Sequence, residues 1–425
     1  MVINTSTTAT LAKTTTKEPQ ALSSLDRSNE KYLELPLPDS EVKETREYRA
    51  ESNNLRVKQD AEEKGSTQAS RSTIDGLETN NRAHIFYYSW WGTPDGPLEK
   101  RYAHWNHDVL PHWTKEVNDR FKHVIGTLHQ PPEDLGTNFY PQGGPYSSSS
   151  PATIARHMKE IRSAGIGVVV LSWYPPQQAD SNGDPELADP LLRTLLDACH
   201  RENLSLAIHL EPYKDRTAQS VWSDADYIEK MYGDHPALLR VGPHRLPLIY
   251  VYDSYLIPYS QWQDVGGRHE KKNAVYLGLV VEERHLGEID QARSFFDGYY
   301  TYFAAERFVW GSTRSNWKRI ADHARDLGLI SSISVGPGYE DTRIRPWNDI
   351  NTRPRDGGRY YRESFRKASE AKPDYVSITS YNEWHEGTQI EPAIPKPGYN
   401  DYKDLAMGPE GYLFLTKQLI EEFLS

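Results

Sequence analysis

Residues 375–391 read YVSITSYNEWHEGTQIE and combine a strand pattern with a loop rich in acidic and aromatic side chains. β-branched residues recur in the first part, which predicts a buried strand over 375–380. The loop that follows carries two carboxyl groups, Glu383 and Glu386. Cleavage of a glycosidic bond needs one protonated and one ionised carboxyl group, so this pair suits that reaction. The spacing alone fits a surface loop with two solvated glutamates equally well.

A strand-then-helix pattern continues outward from this stretch and repeats eight times, which predicts an α/β fold, a single (β/α)8 barrel of the TIM type. The strand-like apolar runs lie at 84–90, 166–173, 204–210, 247–252, 275–281, 296–303, 329–335 and 374–380. The helix-like stretches lie near 151–164, 188–202, 221–232, 258–265, 285–294, 315–327, 359–371 and 409–424. The alternative is a doubly wound open sheet, but the residues WWGT (90–93) lack the glycine-rich phosphate-binding turn expected after its first strand.

The composition divides the chain into two parts. Residues 1–80 contain two aromatic side chains, Tyr32 and Tyr48, and are rich in Ser, Thr, Glu, Lys and Gln. Such a stretch buries too little apolar surface to offset the entropy that ordering would cost. We therefore expect a disordered tail or stem over 1–80 and one barrel domain over 81–425.

Bulk properties argue against several classes of partner and cofactor. The formal net charge of −11 argues against a nucleic-acid groove. A single cysteine, Cys199, rules out an intrachain disulfide. No His-Glu-x-x-His motif or similar ligand set occurs, so we expect neither a metal nor another cofactor. No apolar run of about 18 residues is present, and residues 1–20 lack the apolar core of a signal peptide.

A barrel of this type places its site at the C-terminal ends of its strands. Polar or aromatic residues occupy those predicted ends: Tyr87, Tyr88, Trp173, Tyr174, His209, Glu211, Tyr252, Asp253, Glu282, Glu283, Tyr300, Tyr302, Tyr339, Glu383 and Glu386. His209 and Glu211 alternate on one strand and so point to the same side, although a buried core histidine is the simpler interpretation of His209 alone. The segment 92–150 is too long for an ordinary connection, so we expect it to wall the cleft.

The string NEWHEGTQIE (382–391) resembles the signature of the endo-α-1,2-mannosidases, glycoside hydrolase family 99. Further strings are similar to that family in the same order: HIFYY (84–88), HWNH (104–107), LSWYPP (171–176), IHLEPY (208–213), YVYDSY (250–255), FDGYYTYF (296–303), SVGPGY (334–339) and IRPWN (344–348). These strings run from about residue 84 to the C-terminus, and collinear motifs over such a span are specific.

The resemblance implies a retaining, endo-acting hydrolase whose intermediate is a 1,2-anhydro sugar. By position in the string, Glu383 would remove the proton of the substrate 2-hydroxyl, and Glu386 would protonate the departing oxygen. The resemblance and the strand ends together give the expected substrate-binding residues: Tyr88, His104, Trp105, Trp173, Tyr174, His209, Glu211, Tyr213, Tyr252, Asp253, Tyr300, Arg345, Trp347 and Asn382.

Two strings, WYPP (173–176) and ADSNG (179–183), look like the form found in the animal Golgi members of the family. This likeness implies glucosylated high-mannose N-glycans as substrate and the Golgi lumen as location. The chain departs from those members because it shows no N-terminal signal peptide or membrane anchor. The alternatives are a catalytically silent carbohydrate-binding barrel and a microbial-type α-1,2-mannan hydrolase. We expect a glycan as the partner and a monomer as the oligomeric state.

Overall fold

The computed structural model describes residues 79–180, 183, 188–402 and 408–424. Within these residues, eight parallel strands follow one another around a closed barrel, as the sequence predicts. The strands are β1 (Asn80–Tyr87), β2 (Ile166–Trp173), β3 (Ser205–Leu210), β4 (Leu246–Val251), β5 (Val275–Leu279), β6 (Gly298–Tyr300), β7 (Ile330–Val335) and β8 (Tyr375–Ile378). β8 pairs with β1, and β3 pairs with β4, so the sheet closes on itself and the doubly wound alternative is wrong.

Nine α-helices occur in the same described residues, and eight of them lie where the sequence predicts a helix. They are α1 (Lys115–Phe121), α2 (Pro151–Ser163), α3 (Ala188–Arg201), α4 (Ala218–Tyr232), α5 (Tyr259–Gly267), α6 (Arg284–Gln291), α7 (Arg314–Asp326), α8 (Arg359–Ala371) and α9 (Gly411–Phe423). The helix that the sequence does not predict, α1, lies in the long segment between β1 and α2. Ser150 caps α2 by accepting a hydrogen bond from the Thr153 N–H, and Pro151 takes the first helical position.

Side chains alternate along each strand between the barrel interior and the layer under the helices. On β2, Val168 and Val170 face the interior, whereas Val169, Leu171 and Trp173 pack under the helices. Aromatic side chains fill the interior near its mouth, namely Phe86, Tyr88, Tyr250, Tyr252, Tyr300 and Tyr302. The barrel is therefore a packed core, and its mouth at the C-terminal strand ends is the place for a ligand.

The segment between β1 and α2 folds over this mouth. Gly92 and Ala103 form an antiparallel bridge within it. A Cβ atom at Gly92 would lie 2.7 Å from the Glu99 Cβ and 2.9 Å from the Arg101 carbonyl oxygen, so the bridge requires glycine there. The predicted wall of the cleft is thus an ordered piece of chain with its own close packing.

The N-terminal boundary of the barrel falls near the predicted one. β1 begins at Asn80, one residue before the domain start that composition predicts. The predicted tail over 1–80 lies outside the described residues except for its last two, so its disorder stays a prediction. No helix in the described part of the chain is long and apolar enough to cross a membrane.

Candidate active site

The two predicted catalytic glutamates lie on the loop that follows β8, which we call the glutamate loop (residues 379–391). Glu383 and Glu386 are 3% and 7% exposed, so neither belongs to a solvated surface loop. The Glu383 backbone N–H donates to the Ser380 hydroxyl at 2.8 Å, and the Glu386 carbonyl accepts a hydrogen bond from the Glu340 N–H at 2.8 Å. Backbone contacts on both sides therefore fix where the two carboxyl groups stand.

The two oxygens of Glu383 differ in their surroundings. Oε1 accepts a hydrogen bond from the His385 backbone N–H at 3.0 Å. Oε2 is buried and accepts no hydrogen bond from any residue that the structure describes. A buried carboxylate oxygen without a donor is costly unless a ligand supplies one. Oε2 is therefore the atom of Glu383 that is placed to bind a substrate hydroxyl.

Burial raises the pKa of both carboxyl groups and so favours their protonated forms. Burial raises the pKa of Glu383 well above its ordinary value, and the charge of Glu386 raises it further. Burial likewise raises the pKa of Glu386, to about 7, although the Arg345 charge opposes this rise. When two carboxyl groups repel each other, ionisation of one makes ionisation of the other less favourable. Such a pair can supply one acid and one base in the pH range between its two ionisations.

Arg345 is held beside the pair by a buried carboxylate. Its Nη1 donates to Asp341 Oδ2 at 3.2 Å. The same oxygen accepts hydrogen bonds from the Tyr339 hydroxyl and the Asn348 side-chain amide, each at 2.9 Å. This geometry brings the predicted binding residue Arg345 to the site and explains why its charge lowers the pKa of both glutamates.

A chain of two tyrosines leads to the other glutamate. The Tyr302 hydroxyl donates to Glu386 Oε2 at 3.4 Å, and the Tyr88 and Tyr302 hydroxyls are 2.5 Å apart. The Asn382 side chain binds both the N–H and the carbonyl of Tyr88, each at 2.8 Å. The predicted substrate-binding set omits Tyr302, although Tyr302 is among the residues at the predicted strand ends. Tyr302 lies just after β6 and has a φ of 53°, a backbone conformation that accompanies the turn of the chain toward the mouth of the barrel. No sequence pattern signals this conformation.

The predicted alternation of His209 and Glu211 is confirmed. His209 Nε2 is hydrogen-bonded to the Tyr300 hydroxyl at 3.0 Å, and its Nδ1 lies 3.2 Å from Glu211 Oε1 without hydrogen-bond geometry. The Ser172 hydroxyl donates to the same Glu211 oxygen at 2.8 Å, and the Tyr252 ring packs 5.0 Å from the His209 ring. The Glu211 charge raises the pKa of both predicted catalytic glutamates.

A second buried carboxyl group lies at the end of β4. Asp253 has a φ of 49°, and its Oδ1 accepts a hydrogen bond from the Tyr255 hydroxyl at 2.8 Å. Its Oδ2 is buried and receives no donor from the described residues, and burial raises the pKa of this carboxyl to about 7. Burial raises the pKa of Tyr174 too, and the charges of Asp180, Glu211 and Asp253 add to that rise. Asp253 and Tyr174 therefore line one side of the cleft.

The wall segment reaches the glutamate loop through His104. Its ring stacks on Trp90 at 4.6 Å, and its Nε2 lies 3.7 Å from Asp180 Oδ1. His385 Nε2 donates to the His104 carbonyl at 2.9 Å. His104 thus joins three loops over the mouth, and Trp90, which the sequence-based set omits, forms part of that wall.

Four predicted binding residues make their contacts outside this cluster, so their binding of a substrate stays a prediction. The Trp173 ring lies under the helices, stacked on Tyr227 at 6.4 Å, because alternation turns Ser172 and not Trp173 inward. The Tyr213 hydroxyl is hydrogen-bonded to Ser220 at 2.6 Å and to Asp224 at 2.5 Å, at the start of α4.

The other two are Trp105 and Trp347. Trp105 is fully buried 4.2 Å from the Trp91 ring, with its Nε1 donating to the Tyr146 carbonyl at 2.8 Å. Trp347 packs against Trp113 at 5.3 Å and donates its Nε1–H to the Leu110 carbonyl. Each indole donates its only N–H to a backbone carbonyl, so both rings serve to pack the wall segment.

Two further features bear on alternative sites. In the described ranges, no group of three His, Cys, Asp or Glu side chains is arranged to hold a metal ion. A cavity of about 360 Å³ borders the glutamate loop at Gly387 and is lined by Arg355 and several tyrosines, but by neither catalytic glutamate. We assign the site to the glutamates because the free carboxylate oxygen and the raised pKa values occur there.

Comparisons with known proteins show the family to which the chain is related. The family model described as glycosyl hydrolase family 99 matches residues 78–425. The chain is 44% identical over 354 residues to a glycoprotein endo-alpha-1,2-mannosidase-like protein of Danio rerio, covering 80% of this chain and 78% of that protein. It is also 44% identical to the glycoprotein endo-alpha-1,2-mannosidase of Mus musculus, with 80% and 74% covered. The solved GH99 endo-alpha-mannosidase from Bacteroides thetaiotaomicron superposes with a TM-score of 0.72 at 36% identity, covering 81% of this chain and 98% of that one.

Proposed function

The chain belongs to glycosyl hydrolase family 99 and is a glycoside hydrolase, and from that premise we propose that it cleaves internal α-1,2-mannosidic bonds of glucosylated high-mannose N-glycans with retention. The relatives whose names state an activity are endo-α-1,2-mannosidases. The observation that carries the proposal is the buried pair Glu383 and Glu386, in which burial raises both pKa values and Glu383 Oε2 has no donor among the described residues.

The first step uses a nucleophile that the substrate supplies. In an α-mannoside the 2-hydroxyl is trans to the leaving group at C1, so its oxygen can attack C1 from the opposite face. Glu383 Oε2 takes the hydroxyl proton while Glu386 protonates the departing glycosidic oxygen. A bond forms between O2 and C1, the bond between C1 and the leaving oxygen breaks, and a 1,2-anhydro sugar results.

The second step reverses the proton transfers. Glu386, now ionised, removes a proton from water, and the water oxygen attacks C1. The bond between C1 and O2 breaks, and Glu383 returns its proton to O2. Two inversions at C1 give net retention. Neither glutamate has to touch C1, so the separation of about 5–5.5 Å expected for a direct carboxylate nucleophile does not apply.

Unpaired polar atoms around the pair support a sugar-binding cleft. Buried atoms without a donor or acceptor among the described residues include Tyr252 Oη, Asp253 Oδ2, His104 Nε2 and Trp90 Nε1. Sugar hydroxyls both donate and accept, so they satisfy such atoms. The proposed substrate-contacting residues are Tyr88, His104, Tyr174, His209, Glu211, Tyr252, Asp253, Tyr300 and Arg345. His104 Nε2 lies 3.7 Å from Asp180 Oδ1, and Asp180 belongs to the ADSNG string that the resemblance associates with a sugar beyond the cleaved mannose.

The proposal is tested by the products formed from two matched glycans. Incubation with monoglucosylated high-mannose oligosaccharide is expected to release a glucosyl-mannose disaccharide whose new reducing end is initially the α-anomer by NMR. The unglucosylated glycan is the control and distinguishes this preference from that of a mannan hydrolase. Release of single monosaccharides, or binding of the glycan without any product, would contradict the proposal. We place this reaction in the Golgi lumen, where such glycans are processed in the family members that the sequence resembles.

A further inference from the structure

A buried carboxylate lies behind the glutamate loop and takes no part in the proposed reaction. Glu391 is 1% exposed. Its Oε2 accepts hydrogen bonds from the Tyr146 hydroxyl at 2.7 Å and from Trp384 Nε1 at 3.0 Å. Its Oε1 accepts hydrogen bonds from Arg156 Nη2 and His157 Nε2, both at 3.0 Å. Four donors from three separate segments meet on this carboxylate, and we call these five residues the Glu391 cluster.

Glu391 is ionised in this cluster. Burial by itself would raise the pKa of Glu391, but the charge and hydrogen bond of His157, the charge of Arg156 and the Tyr146 hydroxyl hold that pKa below its ordinary value. An ionised carboxylate accepts hydrogen bonds at both oxygens, whereas an amide would turn N–H groups toward two of the four donors. The cluster therefore requires a carboxylate and is not satisfied by a side chain of the same shape.

The cluster fixes both neighbours of Glu383 along the chain. Trp384 is bound to Glu391 directly. On the other side, Asn382 Nδ2 donates to the Tyr146 hydroxyl at 3.2 Å, and the same amide group binds the Tyr88 backbone at two points. Each of these side chains is fully or almost fully buried. Glu391 is thus linked to both chain neighbours of Glu383 by hydrogen bonds, directly to Trp384 and through Tyr146 to Asn382.

The cluster also anchors the glutamate loop to a rigid element. Arg156 and His157 lie on α2, whose first turn is capped by Ser150. Arg156 pairs with Glu160 at 3.1 Å, and Glu160 in turn accepts a hydrogen bond from the hydroxyl of Tyr381, just before Asn382, at 2.6 Å. The helix therefore carries a row of charged groups against which the loop is docked.

We propose that Glu391 is a positioning residue for Glu383: through Trp384, and through Tyr146 and Asn382, its charge holds the base against the substrate 2-hydroxyl. Glu391 contacts neither substrate nor reacting atoms. The inference rests on the proposed function, because it takes Glu383 as the base. A misplaced base lowers kcat and leaves substrate binding almost unchanged, whereas a fold defect lowers the amount of active enzyme.

The test compares Glu391→Gln with the wild-type chain under identical conditions. The variant is expected to lower kcat by on the order of 10²-fold with KM within about twofold, because a misplacement of about 1 Å has effects of this size. An activated mannosyl fluoride substrate should suffer the same fold loss, since the base is needed whatever the leaving group. The pH limits of kcat/KM should stay in place, because Glu391 does not itself exchange protons with the substrate.

Glu306→Gln is the matched control. Glu306 is partly buried and pairs with Arg314, and it also accepts the Arg314 backbone N–H at 3.1 Å. It has no hydrogen bond to the glutamate loop among the described residues. Because the chemical change is identical, this control is expected to keep kcat while losing comparable stability. Equal loss of kcat in both variants would assign Glu391 a structural role and overturn the proposal.

A second variant, Tyr146→Phe, tests the same network if Glu391→Gln folds poorly. Tyr146→Phe removes one hydroxyl, which donates to Glu391 and accepts from Asn382. In a double-mutant cycle, Tyr146→Phe and Glu391→Gln should combine to a loss close to the larger single loss, because both act through one network. Losses that multiply would show that the two residues act independently and would contradict the proposal.

Hydrogen exchange gives a readout that does not depend on activity. Glu391→Gln should speed exchange of backbone amides in residues 380–391 at least several-fold relative to Glu306→Gln. If the wild-type chain cleaves no mannoside but this exchange still rises, the proposed function fails and the anchoring role stands. If the wild-type chain is active and exchange and kcat both stay at wild-type values, the positioning role is wrong.

Discussion

The two glutamates of the proposed site differ in their immediate neighbours. Glu383 Oε1 accepts a hydrogen bond from a backbone N–H, whereas Glu383 Oε2 has no donor among the described residues. Oε2 is therefore the acceptor atom that this side chain offers to a ligand. Glu386 accepts the Tyr302 hydroxyl and has a pKa raised to about 7, which suits an acid near neutral pH. The proposed roles, base for Glu383 and acid for Glu386, rest on the family resemblance, and these different neighbours are compatible with them.

Individual site residues could be predicted from the sequence only where the sequence shows which strand residues face the barrel interior. His209 and Glu211 were identifiable because they alternate at the end of one strand, and Glu383 and Glu386 because they lie in the loop that directly follows the last predicted strand. At the end of β2, however, Trp173 and Tyr174 are neighbours and face different ways, and the predicted set includes both. Which one faces the cleft depends on the strand register, and a run of apolar residues does not show the register.

Removal of the acid should be rescued by a substrate that does not need one. Glu386→Gln is expected to lower kcat on a natural oligosaccharide by on the order of 10²–10⁴-fold. An activated mannosyl fluoride needs no protonation, so the first step on it should retain far more of its rate. Stopped-flow measurement of fluoride release checks this, and equal losses on both substrates would assign Glu386 a different role.

Removal of the base should not be rescued in this way. Glu383→Gln disables the internal nucleophile, so its loss, again on the order of 10²–10⁴-fold or more, should be similar on natural and fluoride substrates. A 2-deoxy or 2-O-methyl substrate should be equally poor with the wild-type chain, because the attacking oxygen is then absent or blocked. Turnover of the 2-deoxy substrate at close to the normal rate would rule out the anhydro-sugar route.

The charge of Arg345 should set the pH range of activity. This charge lowers the pKa of both glutamates, so Arg345→Gln should raise both values. The acid limit of kcat/KM follows protonation of the base, and the alkaline limit follows loss of the proton on the acid. Both limits should therefore move to higher pH in the variant, and Arg345→Lys should move them less. A shift of either limit to lower pH would contradict the assignment of these two glutamates.

Whole elements were predicted better than individual residues. All eight barrel strands and eight of the nine α-helices in the described ranges coincide with runs read from apolar periodicity. The exception, α1, is a seven-residue helix with no buried side chain, so it has no apolar face from which to predict it. The long wall segment was expected to cover the cleft, and the bridge between Gly92 and Ala103 shows it folded back on itself.

Helix α4 begins with reciprocal hydrogen bonds that should affect stability but not catalysis. The Ser220 N–H donates to the Thr217 hydroxyl at 3.1 Å, and the Thr217 N–H donates to the Ser220 hydroxyl at 3.0 Å. Thr217→Ala should lower the free energy of unfolding by about 1 kcal/mol, because an orphan N–H loses its acceptor. Urea unfolding checks this, with Thr217→Ser as the control that keeps the cap. A large drop in kcat would show that α4 supports the site directly.

At the scale of the molecule, closure of the barrel brings together residues that are far apart in the sequence. Tyr88 and Glu386 are separated by almost three hundred residues, yet the Tyr302 hydroxyl is hydrogen-bonded to both side chains. This is possible because β8, the last strand, pairs with β1, the first strand. Chain order alone predicted this meeting, since eight consecutive strand–helix units leave the last strand beside the first.

The same closure predicts two different outcomes for two N-terminal truncations. A chain that begins at residue 79 keeps all of β1, and the family match itself begins at residue 78. Its kcat, KM and thermal midpoint should equal those of the full chain, because composition predicts that residues 1–80 contribute almost no contacts. A fall in the midpoint of more than a few degrees would show instead that the N-terminal part packs on the barrel.

A chain that begins at residue 88 lacks β1 and should not form the native barrel. β1 pairs with β2 on one side and β8 on the other, so its removal leaves two unpaired strand edges and opens the wall beside Tyr88. Ile85 and Phe86 are fully buried, so the core loses apolar contacts as well as hydrogen bonds. We expect an insoluble or unfolded product by circular dichroism, with no cleavage of mannosides. A soluble, active chain lacking β1 would mean that the cleft does not depend on barrel closure, and the account of how Tyr88 reaches Glu386 would then be wrong.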